Sequence, residues 1–481
     1  MSPTRRRSEY FSPVDAISLH SDEPTNLTMI TGVMTFDGAL DVERLKATLE
    51  SRLLARYGRF RQRVQEPRLL GLPRWVDDPT FDLEAHVHRI GLPGPGDQAA
   101  LQALVSDLMS TQLDYSKPLW QVHVVEGCAG GGALVVRLHH CIADGLALVQ
   151  VLLSLTDTES DAPLPEPAEQ PPVDESPAGL WEPAAAGYRM LRGTLHRARR
   201  VLHEGRETLG DRQRLVDTSL VATASALSLG KLLLTPQDRE TIFRGPCGVA
   251  KRAVWSVPVP LDDIKAIGRV VDGTVNDVLV TAVAGALRRY LEDRGQPTDG
   301  LNIRMMVPVN LRGPDQLDRL GNRFGLILLP LPVGVRDPYR RLLVLKHRMD
   351  DIKDSPDALV TFGVINAIGL TPTQVAKQLG LILAGKTTGI ITNVPGPREQ
   401  LYLAGAPLRG FMFWVPTPAG LGLGISILSY RGEVTVGVST DAGLIPDPEA
   451  IIAAFHVELE EMRAWTADQE AGRGDQERSD L

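Results

Sequence analysis

The stretch "LVVRLHHCIADGLAL", residues Leu134–Leu148, predicts a strand, a loop that carries two adjacent histidines, and then a helix. Neighbouring side chains of a strand point to opposite faces, so His139 and His140 do not both enter one cavity. Asp144 and Gly145 follow and predict a sharp turn. This order of elements exposes one histidine at the mouth of a cleft and leaves the other to support the loop.

Three roles of the histidine pair are compatible with this geometry: a metal site, two structural histidines, or a general base. A metal site needs further ligands, and the nearby His86 and His88 come without an HExxH or CxxC pattern, so no metal is predicted. In the structural alternative, Asp144 simply caps the following helix. The complete HHxxxDG pattern is rare enough by chance to favour a functional site.

Composition limits the class of protein. The 481 residues predict two or three domains. The formal net charge of −8 argues against nucleic acid as a partner, because phosphate binding requires clustered positive charge. The three cysteines are widely spaced and form no metal-ligand pair or disulfide framework, so a reducing cytoplasmic setting is expected. No apolar run is long and unbroken enough to predict a membrane-spanning helix.

Hydrophobic periodicity divides the chain into four segments. Residues 1–160 and 236–465 each alternate between strand and helix patterns, which predicts a layered α/β (α+β) fold in two domains. Between them, residues 161–235 begin as a Pro- and acid-rich linker and continue as a helical insert with a run of arginines. Residues 466–481 form a polar tail that is expected to be frayed.

The heptapeptide "HHCIADG", His139–Gly145, resembles the HHxxxDG signature of the CoA-dependent acyltransferase superfamily. That superfamily includes chloramphenicol acetyltransferases, peptide-synthetase condensation domains, and bacterial-type wax ester synthase/diacylglycerol acyltransferases. Three further motifs resemble those of the last family and come in the expected order. They are "PLW" (Pro118–Trp120), "ND" (Asn276 and Asp277) and "NVPGP" (Asn393–Pro397). The resemblance covers about residues 10–465.

The resemblance implies two chloramphenicol-acetyltransferase-like domains with the active site in a tunnel between them. It also implies transfer of a long-chain acyl group from acyl-CoA to diacylglycerol, which gives triacylglycerol, or to a fatty alcohol, which gives a wax ester. Acyl-CoA is then a substrate, and no cofactor is expected. Two alternatives stay open: acyl transfer to another hydroxyl lipid or natural product, and a lipid-binding protein without turnover.

By the resemblance, His140 is the general base of the reaction, and His139 supports it by shaping the loop. The chemistry agrees, because an alcohol is a poor nucleophile and a neutral imidazole must take its proton during attack on the thioester. The superfamily pattern pairs Asp144 with an arginine of the N-terminal segment. The stretch "RFRQRV" offers Arg61 or Arg63, and we expect Arg61. Asp144 is thus expected to anchor the loop.

Two further site residues follow from the resemblance. Asn276, of the ND motif, is expected to donate to the oxyanion of the tetrahedral intermediate, with Asp277 in support. The alternative is that Thr274, Asn276 or Asp277 caps the next helix. Trp120 is expected to line the acyl tunnel, with a place in the core as its alternative.

The expected partners are acyl-CoA and either diacylglycerol or a lipid alcohol. The arginine run within residues 161–235 predicts contact with an anionic membrane or lipid-droplet surface. A solvated helix face is the alternative. The expected location is cytoplasmic, peripheral to the inner face of the membrane or to lipid droplets.

Overall fold

The computed structural model describes residues 8–67, 71–163, 230–312, 320–353, 355–417 and 420–479. These residues form a six-stranded, a seven-stranded and a small three-stranded sheet, with helices packed on them. Two large hydrophobic cores accompany the two large sheets. The predicted two-domain α/β fold is therefore confirmed.

The N-terminal half begins each of its four main helices with a polar cap. Its strands are β1 (Ser8–Tyr10), β2 (Met29–Phe36), β3 (Gln62–Gln65), β4 (Arg74–Asp77), β5 (Val87–Gly91), β6 (Trp120–Cys128) and β7 (Gly131–His139). Its helices are α1 (Pro13–His20), α2 (Val42–Thr48), α3 (Gln98–Met109) and α4 (Gly145–Ser154), with a π-helical turn Leu49–Leu54 and 3-10 turns Gly58–Arg61 and Leu83–Ala85. The capping side chains are Ser12, Asp41, Asp97 and Asp144, and each accepts a backbone N–H three residues further on.

The C-terminal half builds the seven-stranded sheet. Its strands, which also include two that join the other half, are β8 (Lys251–Trp255), β9 (Val259–Pro260), β10 (Ile303–Asn310), β11 (Phe324–Leu331), β12 (Gly389–Pro395), β13 (Tyr402–Leu403), β14 (Ala406–Trp414), β15 (Leu423–Tyr430) and β16 (Glu433–Asp441). Its helices are α5 (Leu261–Val270), α6 (Val275–Glu292), α7 (Pro338–Lys353), α8 (Asp357–Gly369), α9 (Thr373–Ala384) and α10 (Glu449–Ser479). Residues 230–234 are also helical.

The last helix extends beyond its predicted end. The polar tail, residues 466–481, was expected to be frayed, but α10 continues to Ser479. Ala, Glu, Gln and Arg, which have high helix propensity, make up half of the 16 residues of the tail, and the helix continues there despite Gly472 and Gly474. Residues 480 and 481 lie outside the described part of the chain.

The six-stranded sheet takes two strands from the other half of the sequence. Its order is β13-β14-β2-β7-β6-β5, and β14 pairs with β2 from Leu408 opposite Phe36 to Trp414 opposite Thr31. The sequence places these strands in the domain 236–465, whereas in the structure they complete the N-terminal sheet. Periodicity predicts a strand but cannot say which sheet edge the strand joins.

A helix of the N-terminal half also covers an edge strand of the C-terminal half. On α3, the hydroxyls of Ser106 and Ser110 accept the backbone N–H groups of Ala253 and Lys251 at 2.9 and 2.8 Å. Gln102 of the same helix donates to the carbonyl of Trp255 at 3.2 Å. These side chains satisfy the free backbone groups of β8, an edge that would otherwise stay unpaired. The two halves are thereby joined on one side.

Most of the predicted linker and insert, residues 164–229, lies outside the described part of the chain, and so does its arginine run. Across the residues that are described, no single helix is long and apolar enough to cross a membrane. The successive helices α5 and α6 pass that test only as a pair, on length and composition, and they meet at an angle of 94°.

Candidate active site

The predicted strand, loop and helix are present around the two histidines. Strand β7 ends at His139, and α4 begins at Gly145. The backbone of His140 is fixed on both sides, because its N–H donates to the carbonyl of Thr28 at 2.8 Å and its carbonyl accepts from the Asn322 amide at 2.8 Å. The loop is therefore held by both halves of the molecule.

His139 points into the protein and supports the loop. Its side chain is buried, and its Nδ1 accepts the backbone N–H of Cys141 at 3.2 Å. Its Nε2 lies 3.1 Å from the hydroxyl of Tyr115, which donates to Asp22 at 2.7 Å. Burial lowers the pKa of His139 to about 4, so the ring is neutral at neutral pH. This histidine takes no part in lining the cavity described below.

His140 lines a cavity, unlike its neighbour. Burial lowers the pKa of His140, while Asp144, the backbone of His140 itself and the Asn322 side chain act in the opposite direction. The ring is therefore neutral at neutral pH and has a lone pair to offer. Its Nδ1 is buried and has no hydrogen-bond partner among the described residues. The Nε2 edge is thus the one available to a substrate in the cavity.

Asp144 is bonded to both halves of the molecule. Its Oδ1 caps α4 by accepting the N–H of Ala147 at 3.0 Å. Its Oδ2 accepts the guanidinium of Arg312 at 2.5 Å and the backbone N–H of Arg323 at 3.0 Å. The side chains of Asp144 and Arg312 are only 7% and 4% exposed, so solvent screens this ion pair weakly. The carboxylate anchors the loop in place.

The prediction that Asp144 forms an ion pair with Arg61 is wrong. Arg61 is exposed at the end of the 3-10 turn Gly58–Arg61, and Arg63 is exposed on β3. The partner is Arg312, which the chain folds back from the C-terminal half. The physical reason is that a buried carboxylate needs a buried cation, and the N-terminal arginines stay in solvent.

Gly145 is required by packing. A Cβ atom on Gly145 would lie 2.9 Å from Cγ1 of Val415, on the segment that follows β14. The glycine therefore gives room to the side chain of Val415, just after the end of β14. Its conformation is an ordinary one, since its φ is outside the positive range.

The cavity beside His140 lies between the two halves, where the resemblance places the active site. It has a volume of about 540 Å³, within the range of sites that hold a small-molecule ligand. Helix α1 forms one wall, and β10, β11, β12, α8 and α9 form the others. Apolar side chains dominate the lining, and they include Ile17, Met306, Leu326, Ile365, Leu383 and Ile390.

The ND and NVPGP motifs meet at the rim of this cavity. Thr274 and Asp277 cap α6 reciprocally, as the side chain of each accepts the backbone N–H of the other. Asn276 is therefore not needed as a cap. Its Oδ1 accepts from Nδ2 of Asn393 at 2.9 Å. Asn393 lines the cavity, whereas Asn276 does not and reaches it only through Asn393.

Trp120 does not line the cavity, contrary to the expectation from the PLW motif. Its side chain is 1% exposed, its Nε1 donates to the carbonyl of Phe60 at 2.8 Å, and its ring stacks on His86 at 4.5 Å. A Trp that buries its ring and pairs its N–H is a core residue. Trp120 thus stabilises the N-terminal half.

Several residues of the site escape sequence reasoning. Arg312, Asn322 and the backbone of Arg323 approach the histidine loop from the C-terminal half, and Asp22 and Tyr115 support His139 from loops of the N-terminal half. None of them lies in a motif. Their position next to apolar strands is the one signal in the sequence that could have marked them as candidate site residues. Across the described residues, no cluster of three His, Cys, Asp or Glu side chains is arranged to hold a metal ion.

Together, these features define a class. A neutral histidine follows a strand, a capping aspartate fixes its loop, and the histidine borders an apolar cavity between two α/β halves. That arrangement is the one expected of a CoA-dependent acyltransferase with an HHxxxDG motif.

Comparison with known families specifies the class further. The wax ester synthase/diacylglycerol acyltransferase catalytic domain matches residues 11–279, and the C-terminal domain of the same family matches residues 320–463. The chain therefore belongs to the wax ester synthase/diacylglycerol acyltransferase family. The predicted membership is confirmed, and the protein is an acyl-CoA-dependent O-acyltransferase.

Individual relatives agree with this assignment. A protein of Mycobacterium tuberculosis with the name "probable diacylglycerol O-acyltransferase" is 30% identical over 417 residues, which span 85% of each chain. The wax ester synthase/diacylglycerol acyltransferase from Marinobacter aquaeolei has the same fold, with a TM-score of 0.67, 22% identity, and coverage of 95% of this chain and 100% of that one. The first condensation domain of the calcium-dependent antibiotic synthetase also shares the fold, with a TM-score of 0.59, 14% identity and 97% coverage of each chain.

The ion pair between Asp144 and Arg312 predicts that replacing Arg312 destabilises the protein, whereas replacing Arg61 does not. Arg312→Ala or Asp144→Ala leaves a buried charge without its partner, so the free energy of unfolding should fall by about 3–5 kcal/mol, with loss of acyl transfer. Chemical denaturation and a thiol-release assay measure the two effects. Arg61→Ala is the matched control and should change neither. Equal destabilisation by Arg61→Ala and Arg312→Ala would refute the assignment.

Proposed function

We propose that this enzyme transfers a long-chain acyl group from acyl-CoA to diacylglycerol or a fatty alcohol, with His140 as the general base. One observation carries the proposal: a neutral histidine with a buried Nδ1 borders a mainly apolar cavity of about 540 Å³ between the two halves. The imidazole supplies the base, and the apolar walls suit a substrate made largely of hydrocarbon.

The proposed reaction needs one proton carrier. As the hydroxyl oxygen of the acceptor attacks the thioester carbonyl, Nε2 of His140 takes the hydroxyl proton and a tetrahedral intermediate forms. The C–S bond of the intermediate then breaks, the thiolate of CoA leaves, and the imidazolium returns its proton to the sulfur. The products are an ester and free CoA thiol. His140 ends neutral, ready for the next turnover.

His139, Asp144 and Asn322 are assigned positioning roles in this reaction. Asn322 donates both to the carbonyl of His140 at 2.8 Å and to Oδ1 of Asp15 on α1 at 2.7 Å, so it ties the histidine loop to a wall of the cavity. His139 and Asp144 fix the two ends of the same loop. A base that is held before the substrate arrives loses less orientational freedom in the transition state.

The oxyanion of the intermediate needs a donor, and we assign that task to the amide of Asn393, with Asn276 as the residue that positions it. The two amides are bonded to one another at 2.9 Å, and Asn393 reaches the cavity. Because Thr274 and Asp277 cap α6 without Asn276, the cap alone does not explain why an amide stands at this position. Amide donors at such a site stabilise the developing charge.

The acceptor is assigned from the relatives and from the cavity. The names of the mycobacterial relatives mention diacylglycerol, and that of the Marinobacter enzyme mentions wax esters as well. Triacylglycerol synthesis is therefore the first candidate activity and wax ester synthesis the second. Acyl transfer to another hydroxyl lipid is the remaining enzymatic alternative. A binder without turnover would not require a histidine loop with this many fixed contacts.

We further place the enzyme in the cytoplasm, in peripheral contact with the inner face of the membrane or with lipid droplets. Long-chain acceptors partition into such phases, so the enzyme must meet them there. The three cysteines are free, in keeping with a reducing compartment.

The proposed function is tested with purified protein, palmitoyl-CoA, and either diolein or hexadecanol, by following thiol release and separating the lipids. Wild type should form triacylglycerol or wax ester. His140→Ala should lower kcat by at least about 100-fold because the base is missing. Its melting temperature should stay close to that of wild type. His347→Ala, at an exposed position of helix α7, is the control and should keep full activity.

Two results would contradict this proposal. No thiol release with any long-chain alcohol or diacylglycerol would exclude the acyl-transfer activity. Full activity of His140→Ala would leave the activity in place and remove His140 from the role of base.

The lowered pKa of His140 predicts the pH dependence of the reaction. The base works only when it is neutral, and burial keeps its pKa below the ordinary value of 6.5. The pH profile of kcat/KM reports the free enzyme, so it should be level at neutral pH and fall only on acidification below about pH 6.5. Measuring kcat/KM on protein shown to be folded at each pH tests this. An acid limb centred above pH 6.5 would contradict it.

The amide pair predicts a separation of rate from stability at the start of α6. Asn276→Ala should lower kcat by about 100-fold, because Asn393 loses the amide that positions it toward the oxyanion, with little change in melting temperature. Thr274→Ala removes the cap and should cost about 1 kcal/mol of stability while kcat is kept. If Asn276→Ala lowers stability and leaves kcat unchanged, Asn276 is structural and the donor lies elsewhere.

A further inference from the structure

Exposed apolar side chains are concentrated on one face of the C-terminal half. Of the twelve large apolar side chains that are exposed among the described residues, seven belong to residues 230–234, to α8 and the residue after it, or to α9. Leu234 is 85% exposed, Leu359 64% and Ile382 57%. Scattered apolar residues on a surface need no explanation, but a concentration of them marks an interaction site.

These segments are held together as one surface. Nζ of Lys231 lies 3.1 Å from Oδ2 of Asp357, which joins residues 230–234 to the start of α8. Nζ of Lys386, just after α9, donates to the carbonyl of Leu233 at 3.3 Å and also to that of Thr235. The exposed leucines of the segment therefore adjoin the start of α8 and the end of α9.

Helix α8 is apolar on both of its sides. Its only charged residue is Asp357 at the first position. Ala358, Thr361 and Ile368 are buried, whereas Leu359 projects outward. A helix that is apolar all round has an apolar environment on each side. In this protein, one side is the core and the other is the surface of residues 230–234, α8 and α9.

The same surface is continuous with the cavity. Leu381 of α9 is 50% exposed and also lines the cavity beside His140. Lys377 and Glu23 line the cavity as well, and their exposed ion pair of 2.7 Å marks its rim. A hydrophobic molecule can therefore pass from the surface to the cavity along apolar side chains.

The charge of this region differs from that of the whole chain. The chain has 59 acidic and 51 basic residues, yet within residues 230–234 and 357–386 the single acid is Asp357, against the basic residues Lys231, Lys377 and Lys386. Lipid headgroups bear phosphate, which repels carboxylates and attracts basic side chains. An apolar surface whose one acid, Asp357, is paired with Lys231 and whose other charged side chains are lysines thus matches a phospholipid layer in both hydrophobicity and charge.

The geometry points to a lipid-docking surface, formed by residues 230–234, α8 and α9, that seats the enzyme on a phospholipid layer. The acceptor then enters the cavity from that layer beside α9 without crossing water. The route to the cavity rests on the proposed function, whereas the docking itself does not.

The test compares two triple variants of the full chain. Vesicles of phosphatidylcholine and phosphatidylglycerol are sedimented with each protein. Leu234→Ser/Leu359→Ser/Ile382→Ser should lower the bound fraction by about tenfold or more, because three exposed apolar anchors are lost. The matched control is Val249→Ser/Val257→Ser/Val457→Ser, at sites that are 52%, 61% and 46% exposed and lie outside residues 230–234, α8 and α9. It should bind like wild type, and both variants should keep the wild-type melting temperature.

Activity gives a second measurement. With palmitoyl-CoA and vesicle-borne diolein, the variant of the docking surface should be slow. With dissolved 1-octanol as acceptor it should match wild type, because none of its three sites lines the cavity. The control variant should be active with both acceptors.

Three outcomes would overturn the lipid-docking surface. Wild type that stays in the supernatant would exclude docking, and a docking-surface variant that sediments like wild type would place docking elsewhere. If light scattering gives the docking-surface variant a lower molar mass than wild type, the surface joins two copies of the chain instead. Wild type that sediments but transfers no acyl group would instead keep the surface and refute the proposed function.

Discussion

The carboxylate of Asp144 joins the two halves of the molecule at the end of the histidine loop. One oxygen caps α4 in the N-terminal half, and the other accepts from Arg312 and the backbone of Arg323 in the C-terminal half. A charge this deeply buried is stable only while all of its partners are in place. The position of His140, four residues earlier, therefore depends on how the halves are assembled. Local structure and active site are coupled through this one side chain.

The two halves also complete each other away from the active site. Strand β14 leaves the C-terminal half and pairs with β2, and α3 of the N-terminal half covers the edge of β8. Each exchange satisfies backbone groups that would otherwise stay unpaired at a sheet edge. The cavity lies between the halves as a consequence, and its walls come from both. Relative motion of the halves would change the shape of the cavity and the contacts of the histidine loop together.

Adjacent histidines have different environments, and that difference gives them different roles. The strand periodicity turns His139 into the protein, where Tyr115 and the N–H of Cys141 occupy its two nitrogens. His140 comes after the strand has ended and borders the cavity. Burial lowers the pKa of both rings, so both are neutral at neutral pH. Only the one that faces the cavity has a lone pair within reach of a substrate.

The sequence by itself determined the local elements and the family: the strand, loop and helix around HHxxxDG, the two α/β halves, and the split of the histidine pair. These features depend on periodicity and short motifs, which act over a few residues. Only the tertiary structure decided the partner of Asp144, the sheet that β14 joins, and the place of Trp120 in the core. Such features depend on contacts between distant parts of the chain, and neither hydrophobic pattern nor motif spacing encodes which buried charge or open edge a residue will meet.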